Sequence, residues 1–137
     1  MVRESLLGRV VVVAGEQSFL AEVATKAVVA GAAVAVVSRT LPELDVTVRF
    51  RADPHDPDSW ERIAMHIEQH LGPVDGAATD DTSYDVVSAT FLPDLNRRGH
   101  GAVVCVSVGD LAADVLSSLA GTQRATAPRP DHVEPDR

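Results

Sequence analysis

The stretch RVVVVAG at residues 9–15 decides the fold of this chain. Four consecutive β-branched valines suit a strand that is buried on both faces, and a glycine then ends the strand. From Phe19 to Ala30 the apolar side chains recur at helical spacing, Ser18 suits the N-cap, and Gly31 suits the position after the helix. The opening of the chain therefore predicts a buried strand, a glycine turn and a helix.

Strands and helices continue to alternate along the rest of the chain. Further strands are predicted at residues 32–37, 46–51, 74–79 and 102–108. Further helices are predicted from a cap at Asp56 or Asp58 to Leu71, over Tyr84–Asn96 with Pro93 interrupting or bending it, and over 111–119. Segment 46–51 alternates between apolar and polar residues, as a half-buried edge strand does. This order predicts an α/β sandwich with a mostly parallel sheet.

Composition limits the classes of function. The chain has 137 residues, of which 45 % are hydrophobic, and its net charge of −8 disfavours nucleic acid and anionic membranes as partners. Residues 1–120 are expected to form one domain, and the Pro-rich, polar residues 121–137 a disordered tail. No apolar run is long enough for a signal peptide or a membrane helix, so the cytoplasm is the expected location. The single cysteine, Cys105, lies in an apolar run and is expected to be a small buried side chain.

Five stretches between Leu7 and Val108 together carry a family resemblance. They are LGRVVVVAG at 7–15, VVSR at 36–39, RADP at 51–54 followed by DSW at 58–60, LGPVD at 71–75, and FLPDL at 91–95 with RRGHGAVV at 97–104. In this order and spacing, they resemble the short-chain dehydrogenase/reductase family. The resemblance implies a truncated Rossmann-like, doubly wound domain with five strands in the order 3-2-1-4-5, lacking the family's sixth and seventh strands.

The first turn departs from the pattern of that family, which reads Thr-Gly-x-x-x-Gly-x-Gly. This chain has AGEQSFLA at residues 14–21, with Phe19 and Ala21 in place of the second and third glycines. The second glycine lets the backbone approach the pyrophosphate of a dinucleotide, so a phenyl ring there is a serious change. Glu16 adds a negative charge beside an anionic ligand.

The catalytic residues of the family have no counterparts in this chain. The family uses a tyrosine followed four residues later by a lysine, because a phenol with a pKa near 10 needs nearby positive charge to transfer protons at neutral pH. Here Tyr84 is followed at that spacing by Ser88, and the only lysine is Lys26. Val108 stands at the position of the catalytic serine, with Ser107 beside it. No catalytic residue is therefore predicted.

The resemblance also indicates which residues would contact a dinucleotide. In the first turn they are Gly15, Ser18 and Leu20. After the second and third strands they are Ser38, Arg39 and Asp53. Arginine at this place accompanies NADP in the family, because a guanidinium pairs with the 2′-phosphate. The alternatives are a solvated turn arginine and, for Asp53, an aspartate that stabilises a turn.

Two further pairs of polar residues could carry chemistry. His66 and His70 share a helical face but lack a His-Glu-x-x-His motif, so surface histidines are favoured over a metal site. Asp80 and Asp81 stand where the family has Asn-Asn-Ala-Gly. They could bind a hard cation or act as acid and base, but a capping or loop role is favoured.

The sequence therefore favours a non-catalytic binding or assembly module with weak or no dinucleotide binding. An exposed fifth strand predicts a homo-oligomer, or association with a full-length family relative, through that strand or the helix at Tyr84–Asn96. The first alternative is an NADP-dependent oxidoreductase whose proton donor comes from elsewhere. The second is a non-redox enzyme that uses Asp80 and Asp81.

Overall fold

The computed structural model of the chain describes residues 6–40, 45–107, 115, 118 and 119. In this part of the chain, five parallel strands form one sheet in the order β3-β2-β1-β4-β5. The strands are β1 (Val10–Ala14), β2 (Ala33–Val37), β3 (Val48–Phe50), β4 (Gly76–Thr79) and β5 (Ala102–Cys105). The helices are α1 (Phe19–Val29), α2 (Pro57–His70) and α3 (Tyr84–Arg98). The predicted doubly wound sheet and its strand order are confirmed.

Helices cover both faces of the sheet, which explains the valine run of β1. Alternate side chains of a strand point to opposite faces, so Val11 and Val13 pack towards α1 while Val10 and Val12 pack towards α2 and α3. The α1 side of the core also contains Leu20, Val23, Ala24 and Ala27, and the other side contains Trp60, Ile67, Phe91 and Leu95. All five residues of β1 are buried. Every residue of β1 is apolar because its side chains contribute to a hydrophobic core on each face of the sheet.

Trp60 anchors α2 to the sheet. Its side chain is fully buried, and its indole N–H donates a hydrogen bond of 2.9 Å to the carbonyl oxygen of Pro54. The ring meets Phe91 of α3 edge to face, with 5.6 Å between centroids. At the start of α2, the Asp56 side chain accepts from the N–H of Asp58 and from the hydroxyl of Ser59. Of the two predicted caps, Asp56 is the one that the structure uses.

Several predicted boundaries differ from those observed. The strand at 46–51 is shorter, lies at the sheet edge, and pairs in parallel with β2. Ser18 occupies the N-cap position of α1, but its side chain makes no capping hydrogen bond. Pro93 does not interrupt α3, which runs on to Arg98. The predictions for residues 111–119 and 121–137 fall largely or wholly outside the described residues, although Val115 and Leu119 pack in the α1-side core.

Among the described residues, the fifth strand lies at the edge of the sheet, as predicted, and its apolar side chains pack into the two cores. Val103 is fully buried, and Ala102, Val104 and Val106 are also buried. Cys105 is half-buried rather than buried, because it lies at the end of β5. No helix in the described part of the chain is both long and apolar enough to cross a membrane.

Candidate functional site

The carboxyl ends of β1 and β4 meet at the point where the strand order reverses. In doubly wound sheets, this crevice is where ligands bind. A cavity of about 290 Å³ opens here. It is lined by Gln17, Phe19, Asp80, Asp81, Thr82, Val106 and Ser107. The crevice is therefore present, and its chemistry depends on the loops that follow β1, β2 and β4.

Glu16 binds the turn that follows the neighbouring strand β2. Its carboxylate accepts hydrogen bonds from the hydroxyl of Ser38 at 2.7 Å and from the N–H of Thr40 at 2.8 Å. It also accepts from the N–H of Arg39 at 2.9 Å and from the hydroxyl of Thr40. Two hydroxyls and two consecutive backbone N–H groups thus converge on one carboxylate. This set of donors suits an oxyanion.

Asp80 occupies the space that Gly15 leaves open. A Cβ at Gly15 would lie 2.6 Å from both Cγ and Oδ2 of Asp80 and 2.7 Å from Cδ1 of Leu20. The Asp80 carboxylate is buried and accepts from the N–H of Glu16 at 2.9 Å. Its other oxygen accepts from the N–H of Ser83 and the hydroxyl of Thr82, both at 3.0 Å. The space beside the Gly15 backbone is therefore filled by the Asp80 side chain and is not free for a ligand.

The hydrogen bonds keep both carboxyl groups ionised. Burial alone would raise the pKa of Asp80, but the bonds from Glu16, Ser83 and Thr82 outweigh burial and lower that pKa below its ordinary value. Burial would also raise the pKa of Glu16, and the donors of Thr40, Arg39 and Ser38 lower it. Two negative charges therefore stand at the end of the sheet where a dinucleotide would place its phosphates.

Arg39 and Asp53 lie near each other at the outer edge of the same region. The guanidinium of Arg39 is 3.9 Å from Asp53; the Arg39 side chain is largely exposed, and the Asp53 side chain is partly exposed. Asp53 accepts from the backbone N–H of His55 at 2.9 Å and contacts its ring nitrogen at the same distance. These bonds, the backbone one foremost, lower the pKa of Asp53. The geometry matches the turn role considered for Asp53, and it leaves the Arg39 side chain open to solvent.

The remaining residues predicted to contact a cofactor are scattered. Leu20 is fully buried in the α1-side core, and Ser18 is exposed at the start of α1. Phe19 packs partly against the core and lines the cavity. The structure thus brings Gly15, Ser38 and Arg39 together at the strand ends, but the donors around them are bonded to Glu16 and Asp80. As arranged, these residues do not fit the phosphates of a dinucleotide.

Lys26 and Tyr84 lie on opposite faces of the sheet. Lys26 is exposed on α1, whose buried side chains belong to the α1-side core. Tyr84 begins α3 and packs against the core of the other face. The sheet therefore separates the ammonium from the phenol. Ser107 is exposed at the cavity, and Val108 lies outside the described residues.

The two further pairs, His66 with His70 and Asp80 with Asp81, contact other residues of the chain. The rings of His66 and His70 stack with centroids 4.2 Å apart, and His66 also meets Phe50 edge to face. Within the described ranges, no three histidine, cysteine or acidic side chains are grouped so that they could hold a metal ion. Asp81 is exposed and accepts from the Cys105 thiol at 3.1 Å. Asp80 has the loop-stabilising contacts that the sequence favoured.

Comparison with known proteins establishes the class of fold. A doubly substituted short-chain dehydrogenase/reductase from Serratia marcescens is 16 % identical, with a TM-score of 0.60 over 84 % of this chain and 67 % of that chain. For 2-keto-3-deoxy-D-gluconate dehydrogenase from Streptococcus agalactiae the identity is 17 % and the TM-score 0.63, over 88 % of this chain and 60 % of that one. A short-chain type dehydrogenase/reductase from Mycobacterium ulcerans is 18 % identical, with a TM-score of 0.62 over 75 % of this chain and 52 % of that chain.

The chain therefore has the Rossmann-like fold of short-chain dehydrogenases/reductases. It spans between 52 % and 67 % of the length of these three structures. No family model matches the sequence, and no curated protein does. The likeness extends to the sheet and its helices, and the loops at the strand ends determine what the crevice can bind.

The role of Glu16 was not predicted from the sequence, which indicated only an unfavourable charge. One signal was available. Because β1 and β2 are neighbours in the sheet, an acid that follows Gly15 lies beside the hydroxyl-bearing residues Ser38 and Thr40 that follow β2. An acid in one strand-end loop opposite serine and threonine in the next favours such a bond.

Proposed function

We propose that this chain is a non-catalytic binding or assembly module with weak or no affinity for dinucleotides. The placement of Lys26 and Tyr84 on opposite sides of the sheet carries the proposal. A tyrosine that transfers protons to or from a substrate at neutral pH needs a cation within a few ångströms, because the pKa of a free phenol is near 10. The only lysine of this chain cannot supply that charge to its only tyrosine.

The strand-end loops support the second part of the proposal. A dinucleotide bound in the crevice would have to displace Asp80 from the N–H of Glu16 and Glu16 from the turn at Ser38. It would also bring its own negative charges close to both carboxylates, which costs free energy in a partly buried site. NADP is the dinucleotide to test first, because the exposed Arg39 guanidinium could pair with its 2′-phosphate.

Isothermal titration with NADP⁺ and NADPH tests this proposal. We expect no saturable heat up to about 1 mM cofactor, which places any Kd in the millimolar range or weaker. A Kd in the micromolar range that is lost in Arg39→Ala would overturn the proposal in favour of an NADP-dependent oxidoreductase. The matched control is Arg62→Ala, which removes an exposed arginine from α2.

We also propose that the module self-associates, or associates with a longer protein of the same fold, in the cytoplasm. Among the described residues, β5 pairs only with β4 and therefore ends the sheet. Edge strands offer N–H and C=O groups to a second chain, and α3 lies directly beside this edge. Sedimentation velocity over a concentration series is the test. A sedimentation coefficient of the monomer at all concentrations contradicts self-association, and co-purification with a longer homologue then tests the other partner.

A further inference from the structure

The cavity at the carboxyl ends of β1 and β4 has a lining that is partly acidic and partly apolar. Asp80 and Asp81 supply two carboxylates, while Phe19 and Val106 supply apolar surface. Lysine and arginine are absent from the described residues that line the cavity. The seven residues that follow Ser107 in the sequence contain two aspartates and no basic residue. The sign of this charge is opposite to the one that attracts a phosphate-bearing ligand.

The positive ends of two helices at the cavity do not reverse this charge. Both α1 and α3 begin here, and the N-terminus of a helix carries roughly half a positive charge. Asp80 accepts from the N–H of Glu16, which precedes α1, and from the N–H of Ser83, the N-cap of α3. The two helix ends therefore offset about one carboxylate charge, and the charge of Asp81 remains.

Both carboxylates can accept further hydrogen bonds, because each carboxylate oxygen has two lone pairs. Oδ1 of Asp80 already accepts two bonds, whereas its Oδ2 accepts only the bond from Glu16 at 2.9 Å. Asp81 is exposed, and its Oδ1 accepts from the Cys105 thiol at 3.1 Å. In the described part of the chain, no donor contacts Oδ2 of Asp81. A ligand with N–H donors can therefore bind to both residues without displacing an existing bond.

The hydroxyl of Ser83 is a further polar group without a partner. Ser83 is fully buried. Its hydroxyl oxygen lies near the Asp80 carboxylate without meeting the geometry of a hydrogen bond, and it has no other partner among the described residues. A buried hydroxyl without a hydrogen bond costs free energy. A ligand N–H that reaches Asp80 comes close to this oxygen and can donate to it.

We propose that this cavity binds a small organic ammonium ion. The ammonium group donates to the carboxylates of Asp80 and Asp81, and the apolar part of the ligand packs on the ring of Phe19. An aromatic face attracts a nearby cation, and partial burial strengthens the attraction between opposite charges. The volume of about 290 Å³ lies at the lower limit of small-molecule sites, about 300 Å³, which favours a small ligand.

A metal ion fits the cavity less well than an organic cation. Calcium takes about six to eight oxygen ligands. Within the ranges that the structure describes, no three acidic, histidine or cysteine side chains are grouped to hold a metal ion. The apolar wall formed by Phe19 and Val106 would also contribute nothing to a metal ion. The inference rests on the proposed role as a binding module, and it assigns to that module a ligand class of opposite charge to a dinucleotide.

The probe is 2-phenylethylamine, which is protonated at neutral pH. Two compounds of similar size differ from it in charge, namely neutral 2-phenylethanol and anionic 3-phenylpropionate. Each compound is titrated into the wild-type chain at low salt, and ¹⁵N–¹H spectra are recorded. We expect the amine to bind with a Kd on the order of 1 mM, and the other two compounds at least tenfold more weakly. The amide signals of Gln17, Thr82 and Ser107 should shift more than those of α2.

Three variants locate the binding. Asp81→Asn removes the charge of an exposed side chain and leaves the bonds of Asp80 in place, and it should weaken amine binding about fivefold. Phe19→Leu keeps an apolar side chain but removes the aromatic face, and it should weaken binding about threefold. Asp58→Asn, which neutralises an exposed aspartate at the start of α2, is the matched control and should leave the Kd unchanged.

The proposal is overturned if the amine gives no saturable shifts up to about 20 mM. It is also overturned if 2-phenylethanol binds as tightly as the amine, or if Asp81→Asn weakens binding no more than Asp58→Asn. These outcomes leave the proposed function intact, because that function is tested by the titration with NADP⁺ and NADPH. Micromolar binding of those cofactors overturns the proposed function whether or not the amine binds.

Discussion

The buried strands and the loops at their carboxyl ends are stabilised by different interactions. Side chains of β1 and β2 are apolar and are stabilised by packing against helices on two faces. The loops that follow are polar, and their N–H and hydroxyl groups are bonded by two carboxylates, those of Glu16 and Asp80. The sheet has the fold of short-chain dehydrogenases/reductases, whereas the donors of the loops are bonded to carboxylates of the same chain. The fold therefore provides a crevice, and a ligand there can bind to the N–H and hydroxyl groups of the loops only if Glu16 and Asp80 release them.

Substituting Gly15 should break this arrangement most strongly. Gly15 has φ +142, and an added Cβ would lie 2.6 Å from Asp80 Cγ. Gly15→Ala combines backbone strain with steric overlap and should lower the free energy of unfolding by about 3–5 kcal/mol, measured by urea denaturation. Gly72→Ala is the matched control, because Gly72 also has a positive φ but nothing lies within 4 Å of the added Cβ. It should cost about 1–2 kcal/mol. Equal losses in the two variants would show that Asp80 does not crowd Gly15.

Removing the Asp80 carboxylate should have the next largest effect. Asp80→Ala leaves the N–H groups of Glu16 and Ser83 without their acceptor in a buried place, which should cost about 2–4 kcal/mol. The neighbouring Asp81→Ala changes an exposed aspartate, and it should alter stability by about 0.5 kcal/mol or less. Denaturation of the two variants under identical conditions measures the difference. If both variants lose the same stability, the loop contacts of Asp80 are not what stabilises the site.

The sheet was predictable because its signal is local and repeated. Four valines indicate the strand β1, the glycine that follows indicates its end, and the apolar stripe indicates the helix α1. The three signals agree with one strand–turn–helix unit, and the two-sided core confirms the interpretation. Pro93 does not interrupt α3, because the packing of Phe91 and Leu95 stabilises the helix despite the missing N–H. Tertiary contacts here outweigh local propensity.

The candidate site was predicted only in part, because its contacts join residues far apart in sequence. Asp80 reaches Glu16 across 64 residues, and Glu16 reaches Thr40 across 24. The sequence pattern placed all three at strand ends, but it could not show which carboxylate accepts from which N–H. The half-buried position of Cys105 was missed because the apolar run at 102–106 did not show that β5 ends at this residue.

Acid should lower the free energy of unfolding by protonating Asp80 in the loop after β4. The pKa of Asp80 is lower in the folded than in the unfolded chain, so the stability that its ionisation provides is present above the unfolded value, near 3.9. That stability is lost as the pH falls through the folded pKa. The free energy of unfolding, measured from pH 6 to pH 3, should therefore decrease towards the acid end, and Asp80 should contribute a slope of at most about 1.4 kcal/mol per pH unit between the unfolded and the folded pKa. Asp80→Asn should show a shallower decrease, and a profile parallel to that of the wild type contradicts this assignment.

The smallest expected effect concerns a single hydroxyl that contacts Glu16. Thr40→Ala removes one donor to the carboxylate but leaves the backbone N–H of Thr40 in place, so it should cost about 1 kcal/mol. Thr25→Ala is the control, because the Thr25 hydroxyl donates to the Ala21 carbonyl on the exposed side of α1. Alanine is the better helix former, so this change should be neutral or stabilising by a few tenths of a kcal/mol.

In a double-mutant cycle measured by denaturation, Thr40→Ala should couple to Glu16→Ala by about 0.5–1 kcal/mol, and Thr25→Ala should not. A coupling of zero for Thr40 would mean that its hydroxyl bonds to water instead of Glu16, and that three donors, not four, contact the Glu16 carboxylate.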